Sequence, residues 1–545
     1  MAKRPELRLL FNRALLPACV TIVALTARVG RADEVASGSL QAKPRFTIGR
    51  DTTYITQPLR AGGYPDYIAA LNEHAREGVT PENNAAVLLM RAFGPAPIPQ
   101  ASRETYFREL GISPLPENGN YLISRDEFKK GWREKHPPKL PFDDDDLEPQ
   151  WNATSAQPWT AAKYPMVAAW VAANEKPLAL ILEASRQPKL YFPLAPGADG
   201  LILSTPLEHL QEVREAAALM ATKAMLLTAS GKTEQAWHSL IACHRLARQV
   251  AAYDSVVIGV LIGYAIEETT CQADMALIYN ARLSAQALRK MRIEFDALPP
   301  LTGPTPQLDF GERLIVLDVI VETERQGPNA LDFFRRLTGA PPAKPSIESK
   351  IVGGLISTID WDVPLRMTNE WFDKLTRATR IADRHERRAA LDEYSTELHK
   401  LTGDIKNGRK LLSDFLTKGS PTELLSSRFG ALVIGLLTPA LQAVVVAYER
   451  IELERQMIDV AFALEEYKAA RGSYPEKLDA LVTAYLRKVP DDTLNASGGP
   501  IGYRREGKAY MLWSAHVDGI NDNGRSYDDD PSGDDWVLRP VPAKK

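Results

Sequence analysis

The chain has 545 residues, 45% hydrophobic and 25% charged, with a formal net charge of −3. That length predicts several domains, and the composition excludes a mostly disordered chain, a collagen-like repeat and a polytopic membrane protein. The charge balance speaks against a nucleic-acid partner, and three cysteines are too few for a disulfide-stapled scaffold or a four-cysteine zinc site.

Residues 1–32 read as a secretory signal peptide. Lys3, Arg4, Arg8 and Arg13 precede an apolar stretch from Ala14 to Ala27, and Gly30 and Ala32 mark a cleavage site before Asp33. A fourteen-residue apolar helix spans about 21 Å, short of a roughly 30 Å hydrocarbon core, so cleavage is favoured over a permanent anchor. Cys19 could mark a lipoprotein box, but the apolar stretch continues past it. Removing residues 1–32 leaves a net charge of −8. The expectation is an exported, acidic protein of the periplasm or cell envelope.

Residues 33–160 form an N-terminal region of helices and loops. Gly62-Gly63 precedes a helix carrying Tyr67, Ile68, Leu71 and His74. Thr80-Pro81 has the cap-and-first-turn chemistry of a second helix, which runs through Ala85–Met90 and stops at Gly94-Pro95. The stretch 95–160 is rich in proline and aromatic residues and reads as loop, with Asp143–Asp146 as a solvated acidic run.

Residues 161–300 read as a helical bundle, with helices over Leu207–Ala229, Thr233–Ala251 and Val256–Ile278. Small residues at Ala224, Gly231 and Ala236 give the first pair a tetratricopeptide-like hairpin spacing; a generic antiparallel pair is the alternative. Cys243 and Cys271 fall on facing helices but about 14 Å out of level, so both are expected as free thiols. Residues 301–427 form a second helical region, in which Arg384-His385-Glu386-Arg387-Arg388 reads as a solvated charged face.

Residues 428–545 change character. An apolar run, 429–447, contains Pro439. An amphipathic helix then places Leu453, Met457, Val460, Leu464 and Tyr467 on one face and ends at Gly472. Ser473-Tyr474-Pro475 turns the chain, Leu478–Val482 is a short helix, and Ile501–Arg505 and Ala509–Ser514 are strand-like. An Asp-rich loop follows, closed by Trp536-Val537-Leu538.

This order resembles the major pseudopilin of the type II secretion system, through Pro439, Tyr474-Pro475, Tyr503-Arg504, Trp513-Ser514, Asp518-Gly519 and Asp534-Asp535. The resemblance covers about 110 residues. Residues 78–86, Gly-Val-Thr-Pro-Glu-Asn-Asn-Ala-Ala, resemble a motif of uncharacterised bacterial envelope proteins and imply no activity. In pseudopilins the apolar helix is N-terminal, with an early glutamate that guides assembly. Here it is internal, and no acid occurs between Phe429 and Glu449. The module is therefore read as pilin-like architecture, without filament assembly.

The fold expected is mainly α: a multi-helix bundle followed by a pilin-like α+β module of one long helix and a small antiparallel sheet. The resemblance implies a calcium ion held by Asp518, Asp522, Asp534 and Asp535, and oxygen donors are the chemistry calcium requires. A solvated acidic tail remains the alternative. The run 429–447 is either buried against the helical region or a membrane span, and membrane contact through it is the expected alternative. The leading functional expectation is a non-catalytic envelope scaffold with a protein partner. The alternatives are a hydrolase of an envelope component, or a ligand-binding protein with a cleft near Trp132, Trp151 and Trp159. No catalytic residue is assigned.

Overall fold

The computed structural model describes residues 43–136, 147–197, 200–253, 256–330, 332–333, 356–405, 421–438, 441–495, 497–516, 518–527 and 529–540. The expected signal peptide at residues 1–32, Asp143–Asp146 and Pro439 lie outside them. The described chain is mainly helical, with one small sheet near its end.

In the N-terminal region, Asp66 caps α1 (Tyr67–Ala75) by accepting from the Ala69 amide. The next helix, α2 (Ala85–Phe93), starts four residues later than Thr80-Pro81 suggests. Asn84 takes the cap, accepting from the Ala86 amide. The same side chain makes two bonds to Tyr191: its Nδ2 donates to the carbonyl and its Oδ1 accepts from the amide. Tertiary pairing with residues 189–191 thus fixes the helix start. The expected loop at 95–160 contains three further helices, α3 (Arg103–Glu109), α4 (Arg125–Lys135) and α5 (Leu147–Ala156). Ser124 caps α4 on the Glu127 amide, and α5 sets Trp151 edge-on against Trp170 at 5.1 Å. Trp170 belongs to α6 (Pro165–Ala173), and α7 (Glu175–Ala184) follows and packs on α2.

The bundle centres on α8 (Glu208–Ala229), α9 (Thr233–Ala251) and α10 (Val257–Asn280), each packed against the other two. The α9–α10 approach needs Gly263, since a β-carbon there would stand 2.7 Å from the Ala247 carbonyl oxygen. Cys243 and Cys271 are buried free thiols. Beyond α11 (Ala285–Asp296), the second helical region comprises α12 (Arg313–Gln326), α13 (Asp362–Thr379) and α14 (Arg384–Ile405).

The apolar run divides into α15 (Pro421–Leu437) and the start of α16 (Leu441–Arg471). Val433 and Ile434 are buried where α15 packs on α13 and α14, while Leu432 and Leu436 are 44% and 46% exposed. Met457, Val460 and Leu464 of α16 are fully buried, and this helix packs on α10 and α11. Phe462 meets Trp237 edge-on at 5.6 Å. Arg292 of α11 grips Asp459 with two hydrogen bonds of 2.5 and 2.9 Å.

The sheet is antiparallel in the order β1 (Gly502–Glu506), β2 (Ala509–Ser514), β3 (Trp536–Leu538). Gly502 pairs with Trp513, whose ring lies where a β-carbon would be. The Tyr510 hydroxyl reaches Met275 Sδ of α10 at 3.4 Å. One apolar cluster runs from Ile55 to Leu538, so the module shares its core with the bundle. The basic cluster on α14 differs from its sequence reading as a solvated face. Arg384 donates to the carbonyls of Asp492 and Asn495, Arg388 donates to that of Leu494, and Arg387 pairs with Glu449. Those carbonyls lie on a loop distant in sequence, which local charge patterning could not reveal.

Candidate functional site

Two groups of charged side chains stand out. The first lies in the loop between β2 and β3. The carboxylates of Asp522, Asp534 and Asp535 offer ligand atoms all within 4.8 Å of one another. Local backbone bonds hold them there. Asp535 accepts from the amides of Asp522 and Gly524 at 3.2 and 2.7 Å, and Asp522 accepts from the Asp534 amide at 3.0 Å. Gly533 must lack a side chain, because a β-carbon would stand 2.3 Å from the Arg525 carbonyl oxygen. Asp535 is only 4% exposed, and burial pushes its carboxyl above the usual range, with Asp522 and Asp518 adding to the effect.

Asp518, the fourth residue expected here, lies outside this trio and accepts from the Ile520 amide. Arg525 pairs with Asp522 at 3.1 Å, and Asp529 is engaged by Ser526 and Arg539. Asp492, which the sequence analysis passed over, anchors the loop's base. Its buried carboxylate accepts from the amides of Leu494, Asn495 and Ala515 and from the Ser514 hydroxyl.

A cation would fit the trio. Calcium binds oxygen at about 2.3–2.6 Å, so donors on opposite sides of one ion stand about 5 Å apart. A 4.8 Å spread meets that limit.

The second group is inside the bundle and was not singled out from sequence. His244 of α9 faces Glu267 at 2.9 Å through Nδ1 and Asp274 at 2.8 Å through Nε2, both on α10. Arg248, one turn along α9, makes hydrogen bonds of 2.7 and 3.1 Å to the two oxygens of Glu267 and one of 2.6 Å to the Pro299 carbonyl. All four side chains are buried. Two hydrogen bonds across one imidazole need two protons, so His244, Glu267 and Asp274 together carry −1, which Arg248 balances. Burial alone would depress the imidazole, but the two carboxylates outweigh it and hold it up at about 9. Burial opposes ionisation of Glu267, yet His244 and Arg248 hold it down at about 2. The sequence signal was faint: charged residues four apart on α9 and seven apart on α10, on faces otherwise apolar.

Of the three tryptophans expected near a cleft, Trp151 and Trp159 are buried packing residues, and Trp159 donates to the Thr222 carbonyl. Trp132 is half-buried and stacks on His136 at 4.1 Å.

No protein-family model matches the chain, and neither a curated protein nor a solved structure matches it.

Proposed function

We propose that this chain is a non-catalytic structural or scaffolding protein of the cell envelope, exported by its N-terminal signal. In this reading its C-terminal module is pilin-like and stiffened by calcium at Asp522, Asp534 and Asp535, with Asp518 at the edge of the site. The α8–α9 pair acts as a tetratricopeptide-like hairpin and offers a surface to a protein partner. The observation that carries the reading is the convergence of three carboxylates within 4.8 Å in an Asp-rich loop. Calcium would neutralise that repulsion and pin β3 to β2. Titration calorimetry on the full chain should detect one calcium ion, and the ion should raise the melting temperature. Equal melting in calcium and in chelator, with no heat of binding, would overturn it. Leu432 and Leu436 are the side chains through which α15 would touch a membrane. Loss of vesicle co-sedimentation in a Leu432→Ser/Leu436→Ser variant would support that contact, and absence of co-sedimentation by the wild type would remove it.

A second reading, a hydrolase acting on an envelope component, is favoured by one feature. Glu212 and Glu215 sit three apart on α8. Burial pushes Glu212 up to about 7, with Glu215 and Glu127 adding to the effect, while Arg125 grips Glu215 at 2.8 Å. A carboxyl raised in this way beside a second one paired with an arginine resembles the acid–base pairs of hydrolases. Polymer cleavage abolished by Glu212→Gln would establish it, and inert wild-type protein would dismiss it.

A further inference from the structure

The seam between α10 and α16 contains a buried carboxyl with no ion-pair partner among the described residues. Glu454 of α16 is 2% exposed, and its Oε2 has no hydrogen-bond partner. Across the seam it faces Glu268 and Glu267 of α10. Arg450, one turn back on α16, is the cation beside it, and that guanidinium is paired with Glu268 at 3.0 Å. Arg450 also lies over the Trp536 ring of β3 at 4.6 Å, and its charge reaches His516 of the loop after β2. Arg248 and His244 of α9 are engaged with Glu267. Glu452 of α16 adds a further carboxyl near Glu267, Arg248 and Arg455, and Arg455 lies over the Phe295 ring at 5.0 Å.

Ionised, Glu454 would be a third carboxylate beside Glu267 and Glu268, itself almost wholly buried. Burying such a charge unpaired costs several kcal/mol. Protonated, it is a small neutral group that the seam accommodates.

We propose that Glu454 is a protonation latch: the C-terminal module docks on the bundle with this carboxyl protonated, and its deprotonation loosens the seam between α10 and α16. Arg450 extends the effect to the sheet, because the cation that an ionised Glu454 would attract is the one that joins α10 to Trp536. Burial raises the carboxyl well above the ordinary range, Glu268 raises it further, and Arg450 opposes both. The sign follows. A folded-state value above the unfolded one gives stabilisation that is complete below the ordinary carboxylate range and is lost as pH rises through the raised value.

Hydrogen exchange of the full chain tests this, read on peptides covering 264–274 and 447–460 from pH 5 to 9. Wild-type protection, taken relative to Glu454→Gln at each pH, should fall at least tenfold as pH rises. Parallel behaviour of the two proteins, or an unchanged ratio, would overturn the latch. Infrared difference spectra should show a protonated-carboxyl band at neutral pH that Glu454→Gln removes; its absence from the difference also overturns it. If Glu454→Gln does not fold, Glu268→Gln provides the comparison. It removes the like charge and frees Arg450, so the transition should move to lower pH by about 1 unit or more. An unmoved transition counts against the latch.

Discussion

The quartet inside the bundle and the Asp-rich loop of the module use the same carboxylate chemistry to opposite ends. In the quartet two carboxylates meet one imidazole and one guanidinium, both contributing elements are long helices, and all four side chains are buried. In the loop three carboxylates meet one another, and their partners are mostly backbone amides. The first group is balanced within the chain. The second sets three carboxylates side by side, with Arg525 paired to Asp522 at 3.1 Å. Charge balance, more than burial or residue type, separates a structural network from a candidate ligand site.

The largest expected effect comes from unbalancing the quartet. Glu267→Ala leaves Arg248 and His244 buried without their shared carboxylate, and should cost about 3–5 kcal/mol in urea unfolding. Replacing all four side chains together with apolar residues of similar volume should recover most of that loss. A small effect of the single change would mean that water reaches the quartet, and the contrast with the loop would collapse.

A change of pH should probe the quartet without mutation. His244 is raised from 6.5 to about 9 in the folded chain. Its stabilisation is therefore complete below about pH 6.5 and is lost as pH rises to about 9, a change on the order of 3 kcal/mol. His209 runs the other way. It is buried beside Phe192 and pushed down to about 3, so stability falls as pH drops from about 6.5 toward 3. A melting profile with a maximum near pH 6 is expected. His244→Gln should remove most of the His244-dependent alkaline loss but spare the acid limb.

For the loop the lever is calcium. At a hundredfold excess over its dissociation constant the ion should add about 2.7 kcal/mol to unfolding. Asp535→Asn should abolish that gain, while Glu267→Ala, at its lower baseline, should keep it. A calcium gain that survives Asp535→Asn would move the site elsewhere in the loop.

The sequence carried the long elements and missed what depends on contact. Thr233–Ala251 and Ala509–Ser514 match their expected bounds because apolar periodicity and flanking glycines are local signals. The helix α4 escaped notice because it buries no residue, although Ser124 and Glu127 form its capping pair. Asn84 displaced Thr80 as a cap through bonds to Tyr191, 107 residues away. The same limit applies to the sites. Asp534 and Asp535 were legible as a loop pair, whereas His244, Glu267 and Asp274 are 23 and 30 residues apart and meet only when α9 and α10 pack.

The smallest effect probes a third way of holding charge, the clamp of α14 on the module. Arg384 donates to the carbonyls of Asp492 and Asn495 at 2.6 and 3.2 Å. These are neutral acceptors, so calcium should not alter the bonds directly. Arg384→Ala removes both from a half-exposed position, and should cost about 1 kcal/mol. Most of the response should be local, as faster amide exchange across 490–500. Arg384→Lys keeps the charge but loses the planar fork, and a single ammonium cannot reach both carbonyls with the same geometry. It should therefore resemble alanine more than wild type. If lysine restored full protection, attraction to the acidic loop rather than hydrogen bonding would hold α14 to the module. High salt would then weaken the contact, which two carbonyl bonds at a half-buried site should resist.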